Sequence, residues 1–155
     1  MCMRGREEGA RVVRHPRIVG GFLTDFIGYP AAESDVHADG IGDAFSDEMV
    51  ERLAVQLGHP DRCPHGWPID TAHEQEESRA LTSLAKVTEG KARIVRLAEH
   101  DGDLLHWFYE QGLVPGTDLE VLRIDPSAGQ LTVVIDGVER VIGERAAAGL
   151  YVLPG

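Results

Sequence analysis

Hydrophobic side chains recur at helical spacing near the start of the chain. Between Ile18 and Ile27, apolar residues fall at i, i+4 and i+8, which is the spacing of one helical face. Pro16 suits the first turn of a helix, so His15 would lie near the N-cap. The pattern predicts an amphipathic helix that begins around Pro16 and stops near Gly28.

Two further helices are predicted before residue 57. The segment 33–45 is the weaker candidate because Gly40 and Gly42 interrupt it. Ser46 suits an N-cap, and the following stripe is apolar at helical spacing: Met49, Leu53 and Leu57. Three amphipathic helices in so short a stretch cannot bury their own apolar faces, so we expect a second copy of the chain to cover them.

A turn-rich connector follows this helical module. The segment 57–69 reads Leu-Gly-His-Pro-Asp-Arg-Cys-Pro-His-Gly-Trp-Pro-Ile, and its prolines and glycines exclude a continuous helix or strand. The charged, aperiodic segment that comes next predicts a flexible linker. We therefore expect a helical domain over 9–70, a linker over 71–79 and a second domain over 80–155.

The second domain has the pattern of a small β-structure. Short strands are predicted at 92–97, 118–124, 131–135, 138–142 and 150–153. Asp136-Gly137 between two β-branched runs is typical of a tight hairpin. A helix is predicted over 104–111, capped by Asp101 or Asp103 and closed by Gly112. Four or five short strands with one helix predict a small barrel.

Charge and composition narrow the function. The net charge is −11, residues 1–17 carry +3, and the rest of the chain therefore carries −14. Since DNA binding needs several cationic side chains at the phosphates, this acidic body is not a DNA-binding surface. No apolar run approaches the roughly 20 residues that span a bilayer, no signal core is present, and two cysteines fit a reducing compartment. We expect a cytoplasmic protein.

The connector resembles a known family. Gly-His-Pro-x-x-Cys-Pro-His-Gly-x-Pro-Ile is similar to the loop after the dimerisation helices of the diphtheria-toxin-repressor/manganese-transport-regulator family, which are metal-dependent bacterial repressors. The segment 104–116 and the hairpin at Gly137 resemble the SH3-like domain of ferrous-iron transport protein A, which these repressors carry at their C-terminus. The resemblance implies an α+β chain: a small all-α dimerisation module followed by an SH3-like β-barrel.

The family's metal ligands are only partly matched. Aligned on Phe22-Leu23, the ligand histidine falls on Pro16, one position after His15, and a ligand glutamate falls on Gly20. Aligned on Ser46-Asp47-Glu48, three further ligands fall on Asp39, Gly42 and Asp43. Glycine and proline side chains donate nothing to a metal. A substitute set for Fe²⁺ or Mn²⁺ would be His15, His37, Asp39 and Asp43; the alternative is that these side chains are solvated polar residues.

Two other groups of side chains are candidates for a lesser role. His59, Cys63 and His65 have a spacing that could clamp zinc, while the alternative is a proline-pinned loop with Trp67 packed on a module. In the family this loop lies near an ancillary metal and anion site, which the resemblance extends to Arg17 and Cys63. His100 and Asp101, at the entrance of the barrel helix, could contribute to a metal site or serve as a cap and surface residues.

Two functions remain open on the sequence. The first is a metal-dependent transcriptional regulator, present here as its homodimerisation and SH3-like portions, with DNA bound only through a missing N-terminal winged helix-turn-helix or a full-length partner. The second is a DNA-free interaction module that forms heterodimers with such a regulator or assists an iron transporter. An enzyme is not expected, since the sequence lacks paired carboxylates, a nucleophile with a base, and a phosphate loop.

Overall fold

The computed structural model describes residues 3–98 and 101–155, with side chains described from residue 13 onward. The chain divides into two compact units, residues 1–76 and 77–155. The first is helical, and the second contains an antiparallel sheet, so the expected α+β class is confirmed. None of the described helices is long and apolar enough to cross a membrane.

In the described part of the first unit, three α-helices precede the connector: α1 (Met3–Phe22), α2 (Ala31–Ile41) and α3 (Asp47–Gln56). A π-helical turn, Leu23–Ile27, continues α1 and ends at Gly28, whose φ of 90° suits glycine and stops the helix as predicted. Ser46 caps α3 by accepting a hydrogen bond from the Met49 N–H at 3.2 Å. Ile18 of α1 packs with Val50 and Ala54 of α3 in one buried cluster.

The predicted start of the first helix is wrong. Helix α1 begins at Met3, so Pro16 lies inside it and His15 is not near an N-cap. An internal proline costs a helix about 3 kcal/mol, because it removes a hydrogen bond and crowds the preceding turn. The Pro16 ring packs against Gly42, where an added Cβ would lie at an ordinary contact distance of 3.6 Å from Pro16 Cγ.

The predicted flexible linker is largely helical. Helix α4 (Thr71–Ser78) occupies most of 71–79, has no buried residue of its own, and shows no apolar stripe. Its order depends on charge pairs: Glu74 with Arg17 in the first unit, and Glu77 with Arg96 in the second. The domain boundaries proposed above remain predictions.

The described residues of the second unit form six strands and two α-helices beyond α4: β1 (Thr82–Ser83), β2 (Gly90–Leu97), α5 (Gly102–Gln111), β3 (Asp118–Asp125), β4 (Gln130–Ile135), β5 (Val138–Gly143), α6 (Glu144–Ala148) and β6 (Leu150–Pro154). The strands pair antiparallel in the order β1-β6-β2-β3-β4-β5, so β1 and β5 form the edges of a sheet that hydrogen bonds do not close. The sequence had not indicated β1.

Local turn chemistry explains why the predicted elements form where they do. Asp136 and Gly137 have φ values of 51° and 78°, the two left-handed residues that join β4 to β5. Asp101 caps α5 by accepting from the Leu104 N–H at 3.0 Å, and Gly112, with φ of 72°, closes it. Phe108 of α5 is fully buried, and Gly149 allows the close approach, since a Cβ there would lie 3.3 Å from its ring.

Candidate metal centre

Of the four predicted ligands of the helical unit, His15 is the buried one. It is 6% exposed, and its Nε2 lies 3.0 Å from Oδ1 of Asp47 in the first turn of α3. The His15 ring thus lies within ion-pair distance of a carboxylate of α3.

The neighbouring Arg14 makes a second link between the same helices. Its Nη1 lies 2.6 Å from Oε1 of Glu51. Asp47 and Glu51 are four residues apart on α3 and so share a face of that helix. Two adjacent side chains of α1 thus meet two carboxylates one turn apart on α3.

The other three members of the predicted substitute set lie elsewhere. His37, Asp39 and Asp43 are all exposed. The His37 ring lies against the ring of Tyr29, with centroids 4.5 Å apart. In the described part of the chain, no three His, Cys, Asp or Glu side chains are grouped so that they could hold a metal ion. The structure therefore does not bring the four predicted ligands together.

The space between α1 and α2 is filled by small residues. A Cβ built on Gly20, where the family resemblance places a ligand glutamate, would lie 3.8 Å from Ala38 Cβ and 3.9 Å from Ser34 Oγ. Ser34 and Ala38 are both fully buried. These distances are ordinary van der Waals contacts for a methyl group. Glycine has no side-chain donor, so position 20 supplies no metal ligand.

The connector does not assemble the predicted zinc clamp. Cys63 and His65 are buried while His59 is exposed. The His65 Nε2 lies 2.6 Å from the Ala31 carbonyl oxygen, and the Cys63 N–H donates to the Trp67 carbonyl at 2.8 Å. The loop is thus folded on its own backbone and on α2, as the alternative interpretation had it.

Arg17 fastens this loop to α1. Its Nη1 donates to the Pro68 carbonyl at 2.6 Å and to Oε2 of Glu74 at 2.7 Å, and its guanidinium lies 5.3 Å from the centroid of the Trp67 ring. Sequence reasoning missed three acidic partners: Asp47, Glu51 and Glu74. Only the i, i+4 spacing of Asp47 and Glu51 could have indicated a shared face; nothing local singles out Glu74.

At the barrel helix, Asp101 acts as a cap and an ion-pair partner. The Leu104 N–H holds the pKa of this carboxyl below its ordinary value, and Arg145, whose Nη2 lies 2.7 Å from Oδ2, lowers the pKa further. Asp101 is therefore already engaged. His100 lies outside the described residues.

Large apolar side chains are exposed on the helical unit. Among the described residues, the first unit exposes Phe26, Ile27, Val36, Ile41, Met49 and Val55. Phe26 and Ile27, both 56% exposed, sit on the π-helical turn, and Phe26 stacks on Phe22 with ring centroids 5.8 Å apart. Phe26 and Ile27 are adjacent in sequence, and Phe26 stacks on Phe22, so this turn presents a local apolar patch of the kind that can support association.

Comparison with known proteins agrees with this anatomy. Residues 3–71 match the family model "iron dependent repressor, metal binding and dimerisation domain", and residues 82–154 match the FeoA domain. No curated protein sequence matches the chain.

Solved structures resemble the whole chain. A manganese-dependent transcriptional repressor in complex with manganese is 29% identical, with a TM-score of 0.91, and the match covers 100% of this chain and 75% of that one. A manganese-dependent transcriptional repressor is 28% identical, with a TM-score of 0.89 and coverage of 100% and 86%. IdeR of T. acidophilum is 28% identical, with a TM-score of 0.82 and coverage of 100% and 71%.

These matches bear on the expected class of protein and of cofactor. The relatives named above as repressors are regulators of transcription and not enzymes. The expected cofactor is Fe²⁺ or Mn²⁺. The matched domain is named for iron, and the first relative above is named for manganese. The chain therefore carries, in series, a domain that matches the iron-dependent-repressor metal-binding and dimerisation model and a FeoA domain, and over its whole length it resembles manganese-dependent repressors.

Proposed function

We propose that the chain is the dimerisation and FeoA-type portion of a transcriptional regulator, acting in the cytoplasm as a homodimer. The observation that carries this proposal is the set of large apolar side chains exposed on the helical unit. Burying apolar surface contributes about 25 cal/mol per Å², so a second copy covering these side chains would favour association. The match of this unit to a dimerisation domain supports the same surface.

DNA contacts are assigned to a domain outside these residues. The chain beyond residue 17 carries −14, and a surface of that sign repels phosphate. The DNA-reading domain would belong either to the same polypeptide or to a full-length partner with which this chain forms a heterodimer. The acidic charge supports the second candidate function, an interaction module without DNA contacts, as well as it supports the first.

The metal site of the helical unit is proposed to be degenerate. The substitute ligands His15, His37, Asp39 and Asp43 are not grouped, and glycines occupy positions where the family resemblance places donors. The regulator would then have kept the dimer scaffold of its family while losing ligands from the interhelical site.

Sedimentation equilibrium tests the dimer proposal with two matched variants. Ile27→Glu places a charge on the exposed apolar surface of the helical unit, whereas Val141→Glu does so on the barrel at nearly the same exposure, 56% against 57%. We expect Ile27→Glu to weaken self-association at least tenfold and Val141→Glu to leave it unchanged. A monomeric wild-type chain, or equal weakening by both variants, would contradict the proposal.

A mixing experiment separates the two DNA hypotheses. The chain is combined with a full-length repressor of the same family, and binding of that repressor to its operator is followed by gel shift. Loss of the shifted complex on adding wild-type chain, but not Ile27→Glu, supports the interaction module. An unchanged complex favours a DNA-reading domain on the same polypeptide.

A further inference from the structure

We propose that the open edge of strand β5 binds an extended segment of another protein, one that carries an apolar and a basic side chain two residues apart. The segment would add a further strand to the sheet through backbone hydrogen bonds. The residues that carry this proposal lie in the second unit, and none of them belongs to the apolar turn of the helical unit on which the proposed dimer depends.

Strand β5 is the long edge of the sheet. In the described part of the chain it pairs with β4 alone, whereas the opposite edge, β1, has only two residues. The six residues of β5 pair with β4 in regular register, from Val138 opposite Ile135 to Gly143 opposite Gln130. A regular edge of this length presents a row of backbone N–H and C=O groups to which another strand can bind.

The hairpin determines which backbone groups of β5 point outward. Its two-residue turn makes Ile135 and Val138 a directly hydrogen-bonded pair, and such pairs alternate with non-bonded pairs along an antiparallel ladder. Val138 and Arg140 therefore direct their N–H and C=O groups at β4. Glu139 and Val141 direct theirs away from the sheet, where a further strand would lie.

The edge lacks the features that usually prevent a strand from pairing. Strand β5 contains no proline and no lysine, and no bulge interrupts its register with β4. Val138 and Val141 are 60% and 57% exposed. Arg140 is engaged elsewhere, since its Nη1 donates to the Gln111 carbonyl at 2.7 Å and its Nη2 to Oε1 of the same residue at 2.8 Å. The edge is therefore both unprotected and partly apolar.

The charges along this edge favour a basic partner. Asp136 precedes β5, Glu139 lies within it and Glu144 follows it, and all three are exposed. Glu139 and Val141 share a face of the sheet, so the residues opposite them on an added strand are also two apart and share that face. A basic residue opposite Glu139 and an apolar residue opposite Val141 complete the pairing. A second copy of β5 would bring the same three carboxylates, so charge disfavours self-pairing here.

Fluorescence anisotropy tests the pairing with the full chain and a labelled probe peptide, Thr-Val-Thr-Lys-Thr-Val-Thr-Lys. Val141→Pro is the diagnostic variant, because it removes an N–H that points outward and leaves every hydrogen bond to β4 in place. We expect its circular dichroism and Tm to stay close to those of the wild type, while its affinity for the probe falls at least tenfold. Undiminished binding by the folded variant, or no binding by the wild type at about 1 mM probe, would overturn the inference.

A charge exchange tests the chemistry of the partner without depending on the proline variant. In a second probe, glutamate replaces both lysines. The wild-type chain should prefer the lysine probe, and Glu139→Lys should prefer the glutamate probe. Glu120→Lys is the matched control, since it makes the same charge change at an exposed residue of β3, which is paired on both sides. An unchanged preference in Glu139→Lys, or a reversed one in the control, would contradict the proposed partner chemistry.

Sedimentation separates this inference from the dimer proposal. Val141→Pro and Val141→Glu should both lose the lysine probe and keep the self-association of the wild type. Ile27→Glu should do the opposite: it should weaken self-association and bind the probe as the wild type does. If the two Val141 variants instead lower self-association, the edge pairs with a second copy, and the proposal of a different protein is overturned.

Discussion

At the scale of single residues, the arginine at position 96 is the most consequential polar side chain in the second unit. It is 3% exposed, and it donates to Oε1 of Glu77 and to Oγ of Ser78, both at 3.0 Å. Replacing one member of a buried pair leaves the other charge poorly solvated, at a typical cost of about 3 kcal/mol. We expect Arg96→Met to lower the free energy of unfolding by this order, which would appear as a lower urea midpoint.

The matched control lies three residues away on the same strand. Arg93 pairs with Asp118 at 2.8 Å, but both side chains are mostly exposed, at 60% and 70%. Solvent screens such a pair, so Arg93→Met should leave the urea midpoint almost unchanged. Similar decreases of the urea midpoint in the two variants would show that burial does not determine how much the Arg96 contact stabilises the fold.

At the scale of elements, local signals were sufficient where the chain carries its own caps and turns. The β4–β5 hairpin, helix α5 and the end of α1 at Gly28 were all predicted, because each depends on residues adjacent in sequence. Helix α4 was missed because it has no apolar stripe and is ordered by arginines far away in sequence. The candidate metal ligands remain a prediction, because composition supplies donor types, whereas only tertiary packing sets the distances between them.

The cap of α5 gives a prediction that depends on pH. Because the folded-state pKa of Asp101 is lowered, its charge contributes stability that is fully present above the ordinary value of 3.8 and is lost as the pH falls through the folded pKa. Asp101→Asn keeps the oxygen that accepts from Leu104 but removes the charge. We expect this variant to unfold at a lower temperature than the wild type at neutral pH and to converge with it in acid.

Asp101→Ala separates the cap from the charge. It removes both the hydrogen-bond acceptor and the carboxylate, so its loss of Tm should exceed that of Asp101→Asn and should persist at low pH. Thermal melts followed by circular dichroism from neutral to acidic pH measure both effects. A constant gap between Asp101→Asn and wild type at every pH would exclude a role for the carboxylate charge.

At the scale of the whole molecule, the division into two units was predicted, but its position along the chain depends on contacts that no pattern reveals. The expected second domain begins at residue 80, and the FeoA match begins at residue 82. The compact unit begins earlier, at Glu77, and thereby includes Glu77 and Ser78, which accept hydrogen bonds from Arg96. Because the guanidinium of Arg96 is buried, we expect it to need these hydrogen bonds. Residues 77–79 should therefore affect the stability of an isolated second domain.

Two fragments test where this domain starts. Residues 77–155 retain Glu77 and Ser78, whereas residues 80–155 leave Arg96 buried without either of them. We expect the longer fragment to unfold cooperatively in urea and the shorter one to unfold at a clearly lower midpoint, by an amount close to that of Arg96→Met in the full chain. If both fragments unfold at the same midpoint, the domain starts at residue 80 or later and helix α4 contributes nothing to its stability.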